Sequence, residues 1–351
     1  MARKDLAQAK DAKKDEFYTQ LSDIEKELVH YREYFRDKVV FCNCDDPYES
    51  NFFKYFALNF NALGLKKLIA TCYDGSPIAQ QELPLFADEE NKPKKKAYKV
   101  EISEVPDLDG NGTADLTDVQ LLLKSSDNNV KAELKQNGSF DSPESIELLK
   151  EADVVVTNPP FSLFREFLAL LDKYNKQFII IGNTNALTYK ETFKMFQEDK
   201  IRTGYTNFNV GMYFQVPDSW EKFHHIENGK KMARVSTSCW FTNLPVSKHN
   251  EELILIKHYT PEEYPKYDNY DAINVNTYTD IPCDFEGVMG VPVTFLDKYN
   301  PAQFEIIDIN PHFFTIVEQG LPKPKQLTLH NVGQKDPYAR ILIRNKKPQI
   351  S

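Results

Sequence analysis

Val154, Val155, Val156 and Thr157 form an unbroken β-branched run that ends abruptly at Asn158, Pro159, Pro160 and Phe161. β-Branched residues favour strands, and a run that is apolar at every position fits a strand buried on both faces. Proline brings no N–H to a ladder and holds the residue before it extended, so the strand must stop at Asn158. Strands buried on both faces belong to parallel sheets covered by helices. This one segment therefore points to an α/β fold.

The rest of the N-terminal half has the same alternation. Ile24, Leu28, Tyr31 and Phe35 stand at helical spacing and predict a helix over 20–36. Residues 38–44 read as a strand, 51–60 as a Phe-rich helix and 67–73 as a second strand, which makes a βαβ unit. Residues 75–97 are polar and read as a loop or insertion. A helix is expected over 142–152, with Ser142 or Ser145 as N-cap and Pro143 in the first turn. The β-branched strand follows at 153–157. Leu163, Phe164, Phe167, Leu168 and Leu171 then form a helical stripe over 162–174, and 177–182 is another strand. The expected fold is α/β, a doubly wound and mostly parallel sheet. Beyond about residue 200, short aromatic and β-branched segments alternate with Asn, Gly and Pro, so the C-terminal region is expected to be mixed or β-rich. The expected division is 1–200, with an insertion at about 75–135, and 201–351.

Composition narrows the class. No apolar run approaches the roughly 20 residues of a membrane span. Residues 1–16 are charged and lack the apolar core of a signal peptide, so a cytoplasmic protein is expected. Cys42, Cys44, Cys72, Cys239 and Cys283 show no Cys-x-x-Cys spacing; buried thiols are expected rather than zinc. The net charge of −9 does not favour nucleic acid overall. Charge is local, however: Lys92, Lys94, Lys95, Lys96 and Lys99 cluster, as do Lys230, Lys231 and Arg234.

The residues at the strand end suit one chemistry. The exocyclic amine of adenine is a poor nucleophile because its lone pair is delocalised into the ring. Two acceptors aimed at its N–H bonds would draw that pair back onto nitrogen. The Asn158 side-chain oxygen and the Pro159 carbonyl, stiffened by Pro160, are such acceptors. Phe161 can stack on the base, a contact worth about 1–3 kcal/mol. A base in a duplex must first be flipped out, at a cost of a few kcal/mol. The methyl group would come from a sulfonium cofactor lying across the strand ends. The plain alternative is a turn after a strand. Two others are a methyltransferase acting on RNA or a glutamine amide, and a non-catalytic binding protein on a methyltransferase scaffold.

Taken together, three segments make the chain resemble the EcoRI-type adenine-specific DNA methyltransferases. They are Phe17, Tyr18 and Thr19; residues 38–56; and residues 153–166 around Asn158, Pro159, Pro160 and Phe161. Residues 285–307 and 338–345 also read like that family's C-terminal region. The resemblance implies a class I S-adenosylmethionine-dependent methyltransferase fold and double-stranded DNA as partner. It further implies a restriction-modification setting and a monomer. It places Phe17, Tyr18 and Thr19 beside the methionine part of S-adenosylmethionine, and Asn158 between cofactor and target. The chain departs from the pattern after the first strand, where Asp45 and Asp46 stand in a turn without glycine. A second departure is Gly138, Ser139, Phe140, Asp141, where the family commonly has Gly-Asp-Phe. Asp45, Asp46, Tyr73, Asp74 and Asp141 are the remaining cofactor candidates.

A second constellation lies apart from these. Asp107, Asp109, Asn111, Asp115 and Asp118 occupy positions 1, 3, 5, 9 and 12 of a twelve-residue loop, with Thr113 at position 7 and Gly112 at position 6. That spacing resembles a dockerin-type calcium loop and implies a structural Ca²⁺. The alternative is a surface loop that caps the following helix at Thr117 or Asp118.

Overall fold

The Val154–Thr157 run is a strand buried at every position, with a parallel neighbour on each side. It sits in a computed structural model that describes residues 18–44, 46–47, 50–72, 97–124, 131–216, 218, 220–333, 335 and 337–349. Phe17, Asp45, Tyr73 and Asp74 lie outside the described residues, as does nearly all of the polar stretch expected at 75–97.

The strands in chain order are β1 (Tyr18–Thr19), β2 (Val39–Cys42), β3 (Lys67–Cys72), β4 (Tyr98–Ile102), β5 (Lys131–Glu133), β6 (Val154–Thr157), β7 (Gln177–Asn183) and β8 (Arg202–Thr203). They continue as β9 (Met212–Val216), β10 (His225–Glu227), β11 (Lys230–Val235), β12 (Ser238–Thr242), β13 (Ile273–Asn274), β14 (Met289–Pro292), β15 (Phe304–Asn310) and β16 (Arg340–Asn345). The α-helices are α1 (Leu21–Leu28), α2 (Asn51–Leu58), α3 (Phe60–Leu63), α4 (Leu116–Lys124), α5 (Pro143–Glu151), α6 (Phe164–Lys173), α7 (Lys190–Gln197) and α8 (Phe314–Glu318). Among the described residues no helix is long and apolar enough to cross a membrane.

The chain divides into two compact units. One comprises Met1–Asn183 and Gly204–Thr242, the other Thr184–Thr203 and Asn243–Ser351. The first unit is α/β with mixed sheets. Its main sheet has the order β5-β4-β3-β2-β6-β7-β12. β3, β2, β6 and β7 are parallel, while β4, β5 and β12 are antiparallel to their neighbours. A second, antiparallel sheet has the order β1-β9-β11-β10.

Local sequence explains the elements around β6. Ser142 caps α5, its Oγ accepting from Ser145 N–H at 3.2 Å, with Pro143 at the start of the helix. α6 buries Phe164, Phe167, Leu168 and Leu171, each worth roughly 1.5–3 kcal/mol. Leu163, expected in that stripe, is exposed because it falls in a preceding 3₁₀ turn, Phe161–Leu163. Gly182 in β7 lets α6 come close: a Cβ there would stand 2.4 Å from Phe164 and 2.9 Å from Phe241.

The helix expected over 20–36 is α1 followed by a 3₁₀ stretch, Val29–Phe35. The α pattern gives out where β-branched Val29 and the rings of His30 and Tyr31 lower helix propensity. Glu27 of α1 is fully buried, a position that pattern reading reserves for apolar residues. Its carboxylate accepts from Tyr31 Oη at 2.9 Å, Tyr205 N–H at 2.7 Å and Thr206 N–H at 2.8 Å. It thereby fixes where the chain rejoins this unit and leads into β9.

The second unit is built on the sheet β13-β14-β16-β15. Gln197 at the end of α7 donates to Ile307 O at 3.1 Å and Thr315 Oγ1 at 3.0 Å. The buried His249 ring sits with Nδ1 2.8 Å from Tyr299 O and Nε2 3.2 Å from Thr203 O. Gln303 clasps Leu253 at both backbone groups: Leu253 N–H donates to Oε1 at 2.7 Å, and Nε2 donates to Leu253 O at 2.8 Å. Ile254 and Ile256, just after Leu253, are 90% and 74% exposed.

Candidate active site

The carboxyl ends of β2, β3 and β6 meet at Asn43. This residue is fully buried. Its Oδ1 accepts from Thr71 Oγ1 at 3.0 Å, and its carbonyl accepts from Thr157 Oγ1. Its Nδ2 has no hydrogen-bond partner among the described residues. A buried amide donor left unpaired costs about 1–3 kcal/mol, so this atom is a place where a polar ligand is worth binding. In open α/β sheets, ligands lie outside the carboxyl ends of the strands.

The turn without glycine is built from other means. Cys44 takes the left-handed backbone, with φ +66°. Asp46 then closes the turn: its Oδ1 accepts from Tyr98 Oη at 2.8 Å, its Oδ2 from Cys72 Sγ at 3.4 Å, and its carbonyl from Ser50 N–H at 2.7 Å. Ser50 in turn caps α2, accepting from Phe52 and Phe53 N–H at 3.1 and 3.2 Å. Asp46 is thus placed at the expected turn, held by the first residue of β4 and the last of β3.

Tyr18 and Thr19 form β1, which pairs antiparallel with β9, Thr19 opposite Phe214. Thr19 is buried; its carbonyl accepts from Asn51 Nδ2 at 2.7 Å, while its Oγ1 has no partner among the described residues. Phe214 stands edge-to-face with Phe161, ring centres 6.1 Å apart at 83°. The N-terminal strand, β9 and the Asn158–Phe161 corner are therefore brought together.

Within that corner Pro159 is buried, and Asn158, Pro160 and Phe161 are half-buried. Pro160 O accepts from Leu163 N–H at 2.9 Å, closing the 3₁₀ turn. Pro159 O accepts no hydrogen bond from the described residues, which leaves it as the prolyl carbonyl open to an outside donor. Asp141 is different. It is exposed, its Oδ1 accepting from Ser139 Oγ at 2.5 Å, while the preceding Phe140 is buried edge-on to Phe167. Asn43 is the residue that sequence reading passed over. Its signal was a polar residue directly after a four-residue apolar strand, Val39–Cys42.

The acidic loop forms apart from this corner. Asp107 accepts from Gly110 and Gly112 N–H at 2.7 and 2.8 Å, and Asn111 Nδ2 donates to Asp109 and Asp115 at 3.0 and 3.1 Å. Thr113 Oγ1 donates to Asn111 Oδ1 at 2.9 Å. Asp118 is buried, and backbone N–H groups, that of Asp115 foremost, hold its carboxyl below the usual range. Carboxylate oxygens of Asp107, Asp109 and Asp118 lie within 4.8 Å of one another.

The chain resembles known proteins over nearly its whole length. The sequence profile of the family described as "Adenine-specific methyltransferase EcoRI" matches residues 5–346. The chain is 45% identical to the Type II methyltransferase M.EcoRI of Escherichia coli, over 98% of this chain and 97% of that one. It is 38% identical to the Type II methyltransferase M.MgeORF184P of Mycoplasma genitalium, over 97% and 98% of the two chains. It is 36% identical to the Type II methyltransferase M.MpnI of Mycoplasma pneumoniae, over the same shares. No solved structure matches it. The chain belongs to the EcoRI family of adenine-specific methyltransferases.

Proposed function

We propose that the chain is a site-specific DNA methyltransferase that methylates N6 of an adenine flipped out of double-stranded DNA, in a restriction-modification setting. The supporting observation is the corner itself. Pro159 O is left open beside Asn158, and Thr157 ties that corner to Asn43, whose Nδ2 is unpaired among the described residues.

The chain's residues act on the amine. Asn158 Oδ1 and Pro159 O accept its two N–H bonds and localise the lone pair on N6. Phe161, braced by Phe214, stacks on the extruded ring. S-adenosylmethionine, when bound, supplies an electrophilic methyl group on sulfur. Asn158 Oδ1 and Pro159 O would keep the N6 lone pair turned toward that methyl group, and the N6 proton displaced on transfer would pass to solvent. Asn43 Nδ2 and Thr19 Oγ1, both buried and without partners among the described residues, suit a polar ligand at the strand ends. Asp46 and Tyr18 complete the cofactor side; Asp141, exposed in its turn, fits there less well.

The parallel run β3-β2-β6-β7 supports a class I, doubly wound reading of the first unit. Residues 1–200 are assigned catalysis and cofactor binding, and 201–351 target recognition, with 204–242 packed into the catalytic unit. A cytoplasmic setting fits a DNA substrate, and a monomer suffices for the reaction. The 107–118 loop takes no part in methyl transfer. The convergence of Asp107, Asp109 and Asp118 favours a structural Ca²⁺ there.

The experiment is transfer of a tritiated methyl group to duplex DNA, to RNA and to a release-factor-like protein, followed by modified-base sequencing of the DNA. Label at N6 of adenine within one recognition sequence is expected. Label on RNA or protein alone, or none anywhere, rejects the reading.

A further inference from the structure

An isolated parallel bridge joins Lys257 to Pro282 and sets the residues after them side by side. Cys283 N–H donates to Lys257 O at 2.8 Å, and Gln349 N–H donates to Cys283 O at 2.8 Å. The backbone bends at Cys283 and Asp284, so two neighbouring side chains that an extended strand would send apart converge instead. His258 meets them from the other stretch. Its Nδ1 lies 3.0 Å from Asp284 Oδ2 and 3.7 Å from Cys283 Sγ. The three ligand atoms all fall within 4.8 Å of one another.

A hydrogen bond between His258 and Asp284 accounts for part of this. It does not account for the thiol. A single ring nitrogen faces both the carboxylate and a buried sulfur, and it can give one proton to only one of them. A small cation would engage all three groups at once. Zinc bonds of about 2.0–2.2 Å to N and O and about 2.3 Å to S put tetrahedral neighbours roughly 3.3–3.6 Å apart. The two separations from His258 Nδ1, 3.0 and 3.7 Å, reach those values with shifts of a few tenths of an ångström, and the third pair already lies within 4.8 Å.

The surroundings are also those of a built site. Asp284 Oδ1 is fixed by Tyr259 N–H at 2.8 Å, which leaves Oδ2 to face the cluster. The Tyr259 ring lies 4.6 Å from that of Phe285. The His258 side chain is 74% exposed, and Cys283 lines a cleft with Glu252, Gln303 and Lys347. Solvent thus has a route in and a place as fourth ligand.

We propose that His258, Cys283 and Asp284 bind one zinc-class divalent cation. The thiolate, an imidazole nitrogen and a carboxylate form a borderline-soft donor set, which selects Zn²⁺ over Ca²⁺ or Mg²⁺. Binding releases the Cys283 proton to solvent and leaves the His258 proton on Nε2. The ion ties the stretch through His258 to the stretch through Cys283 and, by way of Gln349, to the C-terminal residues. Spacing in the sequence does not reveal the site, because its one thiol and one imidazole come from stretches 25 residues apart.

The test uses the full chain, stripped with a chelator and titrated with Co²⁺. A near-ultraviolet thiolate-to-cobalt absorption band is expected to saturate at one equivalent and to be bleached by Zn²⁺. The oxygen-only 107–118 loop cannot produce that band. Cys283→Ser should abolish it. His258→Ala changes an exposed side chain, leaves folding intact, and should weaken Co²⁺ binding by about tenfold or more. Absence of the band at millimolar Co²⁺, or a band unchanged in either variant, overturns the proposal.

Discussion

Thr157 Oγ1 donates to the main-chain carbonyl of Asn43, linking the last residue of β6 to the residue that follows β2. The bond makes one rigid piece of two strand ends. Asn158 sits one residue beyond the donor, and the unpaired Asn43 amide belongs to the acceptor residue. The groups assigned to the target amine and to the cofactor are therefore set against each other by two strand ends tied through one buried hydroxyl.

Asn158→Ala removes one of the two acceptors on the amine. Turnover is expected to fall by about 10²–10³-fold, on the scale of losing one oriented polar group at a reacting centre. Cofactor affinity should stay close to that of the unchanged chain. Single-turnover kinetics and calorimetry separate the two effects, and turnover that survives would remove Asn158 from the catalytic role.

Asn43→Ala tests the cofactor side. Loss of a buried amide facing a polar ligand should raise the Kd for S-adenosylmethionine about tenfold, which corresponds to about 1.4 kcal/mol. Thr157→Val should act in the same direction through the severed tie. Unchanged calorimetric affinity in Asn43→Ala would mean that the residue only pins strands together.

Gly182→Ala places a methyl group 2.4 Å from the Phe164 ring. α6 must shift or β7 must yield, at about 1–3 kcal/mol. A lower denaturant midpoint with an unchanged slope is the expected result. Because Phe164 begins the helix that follows Phe161, activity should drop as well.

Ca²⁺ should raise the melting temperature of the full chain by a few degrees, and Asp107→Ala should cancel the rise. No Ca²⁺-dependent shift in a thermal scan would leave the 107–118 loop as a helix-capping turn closed by its own backbone N–H groups.

His249 gives the pH dependence a sign. Burial holds its imidazole below the ordinary value of 6.5. The unfolded chain then binds a proton that the folded chain refuses over the interval from 6.5 down to the lowered value. Stability is complete above about pH 6.5 and declines as pH falls through that interval. A melting-temperature series across it should slope downward for the unchanged chain and flatten in His249→Gln. An equal slope in both would assign the effect to other groups.

Much of the first unit was legible in residue order. The Val154–Thr157 strand, the α5 cap at Ser142 and the α6 stripe are local patterns, and local patterns survive folding. What escaped was non-local. Asn43 shows its part only once β2, β3 and β6 lie next to one another. Glu27 reads as a surface helix residue until Tyr205 and Thr206 reach it. His258 and Cys283 had no shared signature, because the bridge that joins them is made of backbone.

Gln303 holds both backbone groups of Leu253, and so a carboxamide side chain stands in for a neighbouring strand. Beyond it Ile254 and Ile256 stand bare to solvent. With Leu253 already engaged, an incoming chain loses a point of purchase at that end. One glutamine thus leaves Leu253 no backbone group open to a neighbouring chain, a role that neither catalysis nor core packing would reveal.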